Sequence, residues 1–229
     1  MNKVSLLLLL LAADLPLLRA ATFTVTNANP AGAGSLAQAL LDANASPGAD
    51  AIAFNITTGS LTIAPTNALP VITDTVTIDG STQPGYSNAP LIEVSGAGAG
   101  TGVSGLTIAA DGCVVRALAI NRFSGDGVQI TNGVGSLVAG CYLGVAPDGA
   151  TRRGNGGAGV RLADAFFSGT LTTSSNVVGG TAWADHNLIS ANGYGIYLED
   201  SQGNTISGNY IGTDATGTLD LGNTNSGVY

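Results

Sequence analysis

The chain has 229 residues, of which 34 are glycine, and seven Lys and Arg face fifteen Asp and Glu for a net charge of −8. Phosphate binding requires clustered cations, so this acidic composition argues against a nucleic-acid partner. The glycine content, together with abundant Val, Ile and Leu, predicts many short strands joined by tight bends and excludes a disordered chain.

Residues 1–21 have the three-part form of a secretory signal peptide, with Lys3, an apolar run at 6–11 and a small-residue exit at 20–21. A membrane anchor is the alternative, but residues 14–16 (DLP) interrupt the apolar run well short of the ~20 residues that a spanning helix needs. We expect the leader to be removed on export. The mature protein should then be secreted or lie at the bacterial cell surface or outer envelope, without a transmembrane segment.

A short helix is predicted at residues 35–45. Ser35 and Gln38 match a capping box, in which the Ser side chain caps the helix start and the Gln side chain reaches back. Apolar residues share one helical face, and this face should cover the first turn of strands in the chain. They are Leu36, Ala39, Leu40 and Ala43. Residues 22–104 are thus expected to hold a cap and the first strands, at about 52–56, 61–63, 76–78 and 91–94.

The rest of the chain, residues 105–229, is an internal repeat. Shifted by 68 residues, segment 136–144 aligns with segment 204–212 without a gap, and further copies lie before and between them. Periodicity of this kind is typical of stacked repeats. The chain stops at Tyr229 inside a predicted strand, so we expect further turns of the same polypeptide beyond it.

Each repeat contains three short segments in which apolar residues alternate with others, as a strand with one buried face requires. The inward positions form three columns of like residues. These columns are Val115, Val138, Val178 and Ile206; Ile120, Leu143, Ile189 and Ile211; and Val128, Val160, Ile196 and Val228. An outward row is expected at Gln129, Arg161, Tyr197 and Tyr229.

Asparagines recur at the bends, with Asn176 and Asn204 in one column and Asn187 and Asn209 in another. A functional role is one interpretation. Asn also tolerates left-handed bends and can bond neighbouring backbone in ladders, and we favour this structural interpretation.

Four segments resemble a known family. They are residues 23–27 (FTVTN), 34–44 (GSLAQALLDAN), 77–86 (TIDGSTQPGY) and 208–217 (GNYIGTDATG). The chain resembles the bacterial right-handed β-helix repeat proteins that often carry a Cys-Ser-Leu-Arg-Glu-Ala signature near their start; here residues 34–39 read GSLAQA. The resemblance implies a pectin-lyase-like fold on an exported protein and supplies no catalytic residue. The expected fold is therefore all-β: a right-handed, single-stranded parallel β-helix with three short strands per turn and an N-terminal helical cap.

The loops suggest a binding site, because long and short connections alternate between the second and third strands of successive repeats. Two long loops should flank a notch, and ligands usually bind in concave surfaces. The floor would present Tyr194 and Asn192, and the walls Arg152 and Arg153 on one side and Thr213 and Asp214 on the other. Such a site could stack and hydrogen-bond a sugar; the alternative is that the loops are merely solvated.

Two acidic residues occupy the same position in adjacent repeats, namely Asp164 and Asp200. A pair one strand spacing apart can share Ca²⁺, share a proton or point separately into water. Calcium is the one cofactor that the sequence suggests. Cys113 and Cys141 fall in different columns, which favours two free buried thiols over a disulfide, since a disulfide needs Cα atoms within ~7 Å.

Three functions stay open. The first is an exported, non-catalytic surface or envelope protein that binds glycans or acts as an adhesin-like scaffold, with polysaccharide or envelope components as partners. The second is a polysaccharide lyase or glycoside hydrolase of the same fold; His186 is the single histidine and the chain beyond the leader has no Lys, which is a poor inventory of bases. The third is a purely structural stalk.

Overall fold

The computed structural model describes residues 20–164 and 171–229. Nearly all of the predicted signal peptide therefore lies outside the described residues. One α-helix, α1 (Leu36–Ala45), accompanies nineteen short strands in this part of the chain. Every pairing between these strands is parallel. The prediction of a mostly parallel β-structure with little helix is confirmed.

The strands form three main sheets and one small pair. The first sheet contains, in spatial order, β1 (Thr22–Val25), β2 (Asp50–Phe54), β4 (Val76–Asp79), β7 (Val114–Arg116), β10 (Leu137–Ala139), β14 (Val177–Gly179) and β18 (Thr205–Ser207). The second contains β3 (Thr62–Ile63), β5 (Ile92–Ser95), β8 (Leu118–Asn121), β11 (Tyr142–Leu143), β15 (Leu188–Ile189) and β19 (Tyr210–Ile211). The third contains β6 (Leu106–Ile108), β9 (Val128–Ile130), β12 (Ala158–Ala163) and β16 (Tyr194–Glu199), and the small pair is β13 (Thr173–Ser174) with β17 (Ser201–Gln202).

From β7 onward the chain visits the first, second and third sheets in the same order each time. We call one such passage a circuit. Each strand pairs with its equivalent in the circuits before and after, so like residues lie next to each other, as the 68-residue repeat requires.

The three predicted apolar columns are confirmed by this register. Val138 pairs with Val115 and Val178, and the other two columns pair in the same manner. Most members are completely buried. The exceptions lie in the last circuit, where Ile206 and Ile211 are half-buried and Val228 is 49% exposed. Val228 was predicted to be inside; it is exposed because no described strand packs beyond it.

The N-terminal helix matches its predicted bounds to within one residue. Ser35 caps α1, and its Oγ accepts a hydrogen bond from the Gln38 N–H at 3.2 Å. The Gln38 side chain does not reach back, however, because it donates to Asp42 at 2.8 Å; half of the predicted capping box is therefore absent. The predicted apolar face is buried, and it packs against β1 and β2.

Asparagine ladders tie neighbouring circuits together at the bends. Oδ1 of Asn176 accepts from the Ser136 N–H at 2.8 Å, and its Nδ2 donates to the Gly133 carbonyl at 3.0 Å. Asn187 bonds Cys141 and Val138 in the same way. Both side chains are fully buried, and buried polar groups of this kind must be paired to be tolerated. The structural interpretation of these asparagines is confirmed.

The two cysteines are free and buried, as favoured from the sequence. Burial raises the pKa of the Cys141 thiol to about 12, and burial likewise raises that of Cys113. Thiols held neutral in this way are poor nucleophiles and poor metal ligands.

Among the described residues, no helix has both the length and the apolar character to cross a membrane.

Candidate functional site

The two long loops exist, but they meet instead of flanking an open notch. Each is a hairpin closed by an antiparallel bridge, between Val145 and Arg152 in one and between Thr213 and Asp220 in the other. The Ala215 N–H donates to the Gly149 carbonyl at 2.9 Å, which joins the two hairpins. Both fold over the second sheet, where their apolar residues cover an outward side chain of the circuit between them. The gap expected between the two loops is therefore closed where the hairpins meet.

Asn192, expected on the floor of the notch, lies inside the protein. It belongs to a third asparagine ladder, with Asn155 and Asn223 in the adjacent circuits. Its side chain is fully buried, and Nδ2 donates to the Leu143 carbonyl at 2.9 Å. No part of this side chain is left to face a ligand.

The expected wall residues Thr213 and Asp214 hold their own hairpin. Asp214 is buried and accepts hydrogen bonds from the N–H groups of Thr218 and Leu219 at 2.9 and 3.0 Å. The Leu219 N–H, together with the hydroxyl of Thr216, lowers the pKa of Asp214 to about 2. The Thr213 hydroxyl donates to the Asp214 carbonyl. This carboxylate stabilises a loop and is not offered to solvent.

The two arginines of the other wall differ. Arg152 is exposed, whereas Arg153 forms an ion pair with Glu93, whose carboxylate also accepts from Asn121 and Thr62. Burial alone would raise the pKa of Glu93, but the hydrogen bonds from Asn121 and Arg153 leave it below the ordinary value. Arg153 therefore fastens its hairpin to the second sheet.

Tyr194 lies on the outward face of the third sheet, in a cluster with Tyr197 and Tyr229. The ring centroids of Tyr197 and Tyr229 are 5.0 Å apart and stacked, and Tyr194 lies 5.1 Å from Tyr197. Arg161 lies over the Tyr197 ring at 4.9 Å and pairs with Glu199. The predicted outward row is confirmed by the pairing of Arg161 with Tyr197.

Asp164, one half of the predicted calcium pair, is hydrogen-bonded to the start of β13 and to the residue before it. Its carboxylate accepts from the N–H and hydroxyl of Thr172 and from the N–H of Thr173. The Thr172 N–H is the main cause that lowers the pKa of Asp164 to about 2. Asp200 is exposed, and the described residues contain no group of three His, Cys, Asp or Glu side chains able to hold a metal. Calcium binding stays a prediction, checked by whether millimolar Ca²⁺ raises the melting temperature and Asp200→Asn abolishes that rise.

An aromatic pocket lies beside the joined hairpins, on the outer face of the second sheet. Tyr142, Leu188 and Tyr210 are equivalent residues of successive strands and form a row along this face. A short helical turn, Trp183–Asp185, precedes β15 and brings Trp183 and His186 beside the row. The pocket is lined by these side chains together with Asn88, Gly140, Ala184 and Ala215.

Trp183 and Tyr210 are packed edge to face, and His186 lies tilted against both. Trp183 lies 6.0 Å from Tyr210 at 77° and 5.4 Å from His186, which is the spacing that aromatic quadrupoles favour. Trp183 is nevertheless 66% exposed. The pocket encloses about 40 Å³, room for a few water molecules. A larger ligand would therefore lie across the rings and not inside a cavity.

The pocket offers apolar rings and a few polar atoms, and none of its lining residues carries a carboxylate. The Nδ1 atom of His186 is buried without a hydrogen-bond partner in the described structure, and such an atom normally finds one. The nearest acid in sequence, Asp185, pairs with Arg116 at 3.5 Å. This arrangement suits stacking and hydrogen bonding better than proton transfer.

Sequence reasoning missed this pocket although one signal was present. Tyr142 and Tyr210 are identical residues at equivalent outward positions of the 68-residue repeat, where an apolar interior gives no reason for an aromatic ring. The position of Trp183 depends on the course of a loop and had no such signal. No protein-family model and no curated protein matches the chain.

Proposed function

We propose that this chain is an exported right-handed parallel β-helix that binds polysaccharide at the aromatic pocket without cleaving it. The leader pattern supports export to the bacterial surface or outer envelope. The resemblance to β-helix repeat proteins supports a surface or adhesin-like scaffold. The exposure of Trp183, which is 66% accessible within a cluster of three other rings, is the observation that carries the binding function.

The β-helix is supported by the cyclic order of the strands. Parallel neighbours in one sheet are joined through strands of the other two sheets, and parallel crossover connections are right-handed in ~98% of cases. Ladders of buried asparagines at three bends add a repeated contact between circuits. Both features fit a single coil.

Polysaccharide is the ligand class that best matches the pocket. A sugar ring has an apolar face that can lie on an aromatic ring and hydroxyls that can bond at its edge. Trp183 and Tyr210 supply rings, while the exposed side chain of Asn88 supplies polar atoms at the edge of the pocket. Tyr142 and Tyr210 lie two strand spacings apart, or ~10 Å, on either side of the buried Leu188. An extended polymer fits this shape better than a small molecule.

Cleavage is the alternative, because proteins of this fold include lyases and hydrolases. Glycoside hydrolysis generally uses two carboxylates on either side of the scissile bond, and the pocket lining has none. A lyase needs a base within reach of the sugar proton. His186, Tyr142 and Tyr210 are the pocket residues with a proton to exchange; no acid lines the pocket to orient His186, and burial raises the pKa of Tyr142, which disfavours its use as a base.

The experiment compares binding of the purified protein to an array of bacterial and plant polysaccharides with that of two variants. We expect Trp183→Ala to lose about fivefold or more in affinity, since ring stacking is worth ~1 kcal/mol or more, while Trp183→Phe keeps most of the affinity. Both changes lie at an exposed side chain and should leave the melting temperature within about 2 °C.

Two results would overturn the proposal. Equal binding by Trp183→Ala and the parent protein, together with loss in Tyr194→Ala, would move the site to the tyrosine cluster of the third sheet. Release of unsaturated or reducing ends from any bound polymer, with loss of release in His186→Ala, would make the protein an enzyme.

A further inference from the structure

A buried carboxylate lies at the start of the first sheet with one oxygen unpaired. Asp50 begins β2, and its side chain is 2% exposed. Oδ1 accepts from the Ala21 N–H at 2.7 Å and from the Ser46 hydroxyl at 3.4 Å. Oδ2 is buried and has no hydrogen-bond partner in the described structure. A buried carboxylate without full pairing is costly, so its retention calls for an explanation.

The closer of the two donors to Asp50 is the Ala21 backbone nitrogen, at the predicted end of the leader. Residues 20–21 are the small-residue exit of the signal sequence. In the uncleaved chain the Ala21 nitrogen is a peptide N–H, which has a single proton and no charge. The described ion pairs join Arg116, Arg153 and Arg161 to other acids, and none of them involves Asp50.

We propose that the leader is cut between Ala20 and Ala21, and that the new α-ammonium of Ala21 pairs with Asp50. An export-associated endopeptidase would hydrolyse the bond with one water molecule. Ala20 leaves as a carboxylate with the leader, and the Ala21 nitrogen becomes an ammonium group by taking up the protons. The leader is thus one residue shorter than the 21 residues expected from the sequence.

Cleavage at this bond gives the Asp50 carboxylate a positively charged partner, which it lacks in the precursor. The ammonium carries three donors and a positive charge in place of one neutral N–H, so a second proton can reach Oδ2 while the first stays on Oδ1. Charged hydrogen bonds are stronger than neutral ones, and a buried carboxylate gains most from an opposite charge within reach. The pair would join β1 to β2, which are adjacent in register from Thr22 and Ala51 onward. Processing therefore stabilises the first strand of the stack.

The first test is the identity of the N-terminus. The full-length gene is expressed in an exporting bacterium, and the exported protein is analysed by intact mass and N-terminal sequencing. The proposal requires Ala21 as the first residue. A start at Thr22, or a chain that retains its leader in the membrane, contradicts it.

The second test measures the ion pair by itself. Chains beginning at Ala20, Ala21 and Thr22 are released from a cleavable fusion, each with Asp50 and with Asp50→Asn. We expect the chain beginning at Ala21 to melt roughly 5 °C above the other two, and the advantage to vanish in the Asp50→Asn set. Equal melting temperatures of the three Asp50 chains, or an advantage that survives Asp50→Asn, contradict the ion pair.

A third measurement covers the case in which Asp50→Asn does not fold. Acetylation of the Ala21 amine, introduced by ligation of a short acetylated peptide, removes the charge and leaves Asp50 intact. The proposal requires the acetylated chain to melt with the chain that begins at Ala20. These results do not depend on the aromatic pocket, so they stand or fall separately from glycan binding.

Discussion

Oδ1 of Asn192 accepts two hydrogen bonds from Asn155 in the preceding circuit, one from the backbone N–H at 3.1 Å and one from Nδ2 at 3.0 Å. The same contact recurs between Asn223 and Asn192. At this bend the backbones of neighbouring circuits are not paired as strands, and an Asn side-chain oxygen accepts the hydrogen bond from the backbone N–H.

Removal of this amide should be costly. Asn192→Ala leaves the Asn155 N–H buried without its partner and removes one of the two donors to the Leu143 carbonyl, which keeps the Ser190 N–H. We expect a loss of about 2 kcal/mol in the free energy of unfolding. Urea titration followed by circular dichroism measures it. Asn225 is exposed, and Asn225→Ala should change the same quantity by less than ~0.5 kcal/mol. Similar losses in both variants would contradict the role of the ladder.

The inward and outward faces of the strands should respond differently to charge. Val178 is fully buried between Val138 and Ile206, so Val178→Asp places an unpaired carboxylate in the core. This costs several kcal/mol, enough to unfold a protein of ordinary stability. Tyr197 points outward, and Tyr197→Asp should fold while losing about 1 kcal/mol of ring stacking. Soluble expression and melting curves of the two variants test this, and equal behaviour would contradict the assignment of faces.

Acid should destabilise the protein through two loop carboxylates. Asp164 and Asp214 have a pKa of about 2 in the folded state, below the value of ~3.9 in an unfolded chain. The folded state therefore binds these protons less readily, so the stabilisation is complete above about pH 4 and is lost as the pH falls toward 2. Melting temperatures measured from pH 6 to pH 2 should drop within this window. The Asp164→Asn and Asp214→Asn variants should start lower and show a flatter curve; an unchanged slope in both would contradict this origin.

Deletion of one whole circuit should preserve the fold. Residues 176–203 form one repeat, and their removal places Asn204 where Asn176 was, so β18 can pair with β10 in the register that β14 now has. Because each repeat in such a stack contacts only its two neighbours, the stack can tolerate the loss of one repeat. We expect the shortened chain to unfold cooperatively at a lower denaturant concentration. Removal of residues 176–189 alone deletes β14 and β15 but keeps β16, so the chain can no longer visit the three sheets in order, and folding should be abolished. A variant with this shorter deletion that still folds would contradict the proposed coil.

The strand registers could be predicted because short stretches of sequence determine them. Val138 and Val178 are buried by alternation and aligned by the repeat, and each signal is independent of the rest of the chain. The helix was predictable for the same reason, since Ser35 provides the cap and four apolar residues provide the face.

The site was less accessible to prediction because it depends on how loops fold. The spacing of the long loops was recognised, but nothing local showed that Ala215 would bond Gly149 and close the gap between them. Asn192 was predicted to be at the surface because it lies in a short turn. Its alignment with Asn155 and Asn223 in the repeat already indicated the ladder that these three residues form. The Trp183 turn had no repeat equivalent from which its position could be inferred.

The pocket also contains its own optical reporter. Trp183 is the single tryptophan of the chain, and it is already largely exposed in the folded state. Its emission should therefore shift little when the protein unfolds, so fluorescence is a poor probe of stability here. A ligand that covers the indole replaces water around it and should move the emission to shorter wavelength. Occupancy of the pocket can thus be followed by light from the native protein, with no label attached.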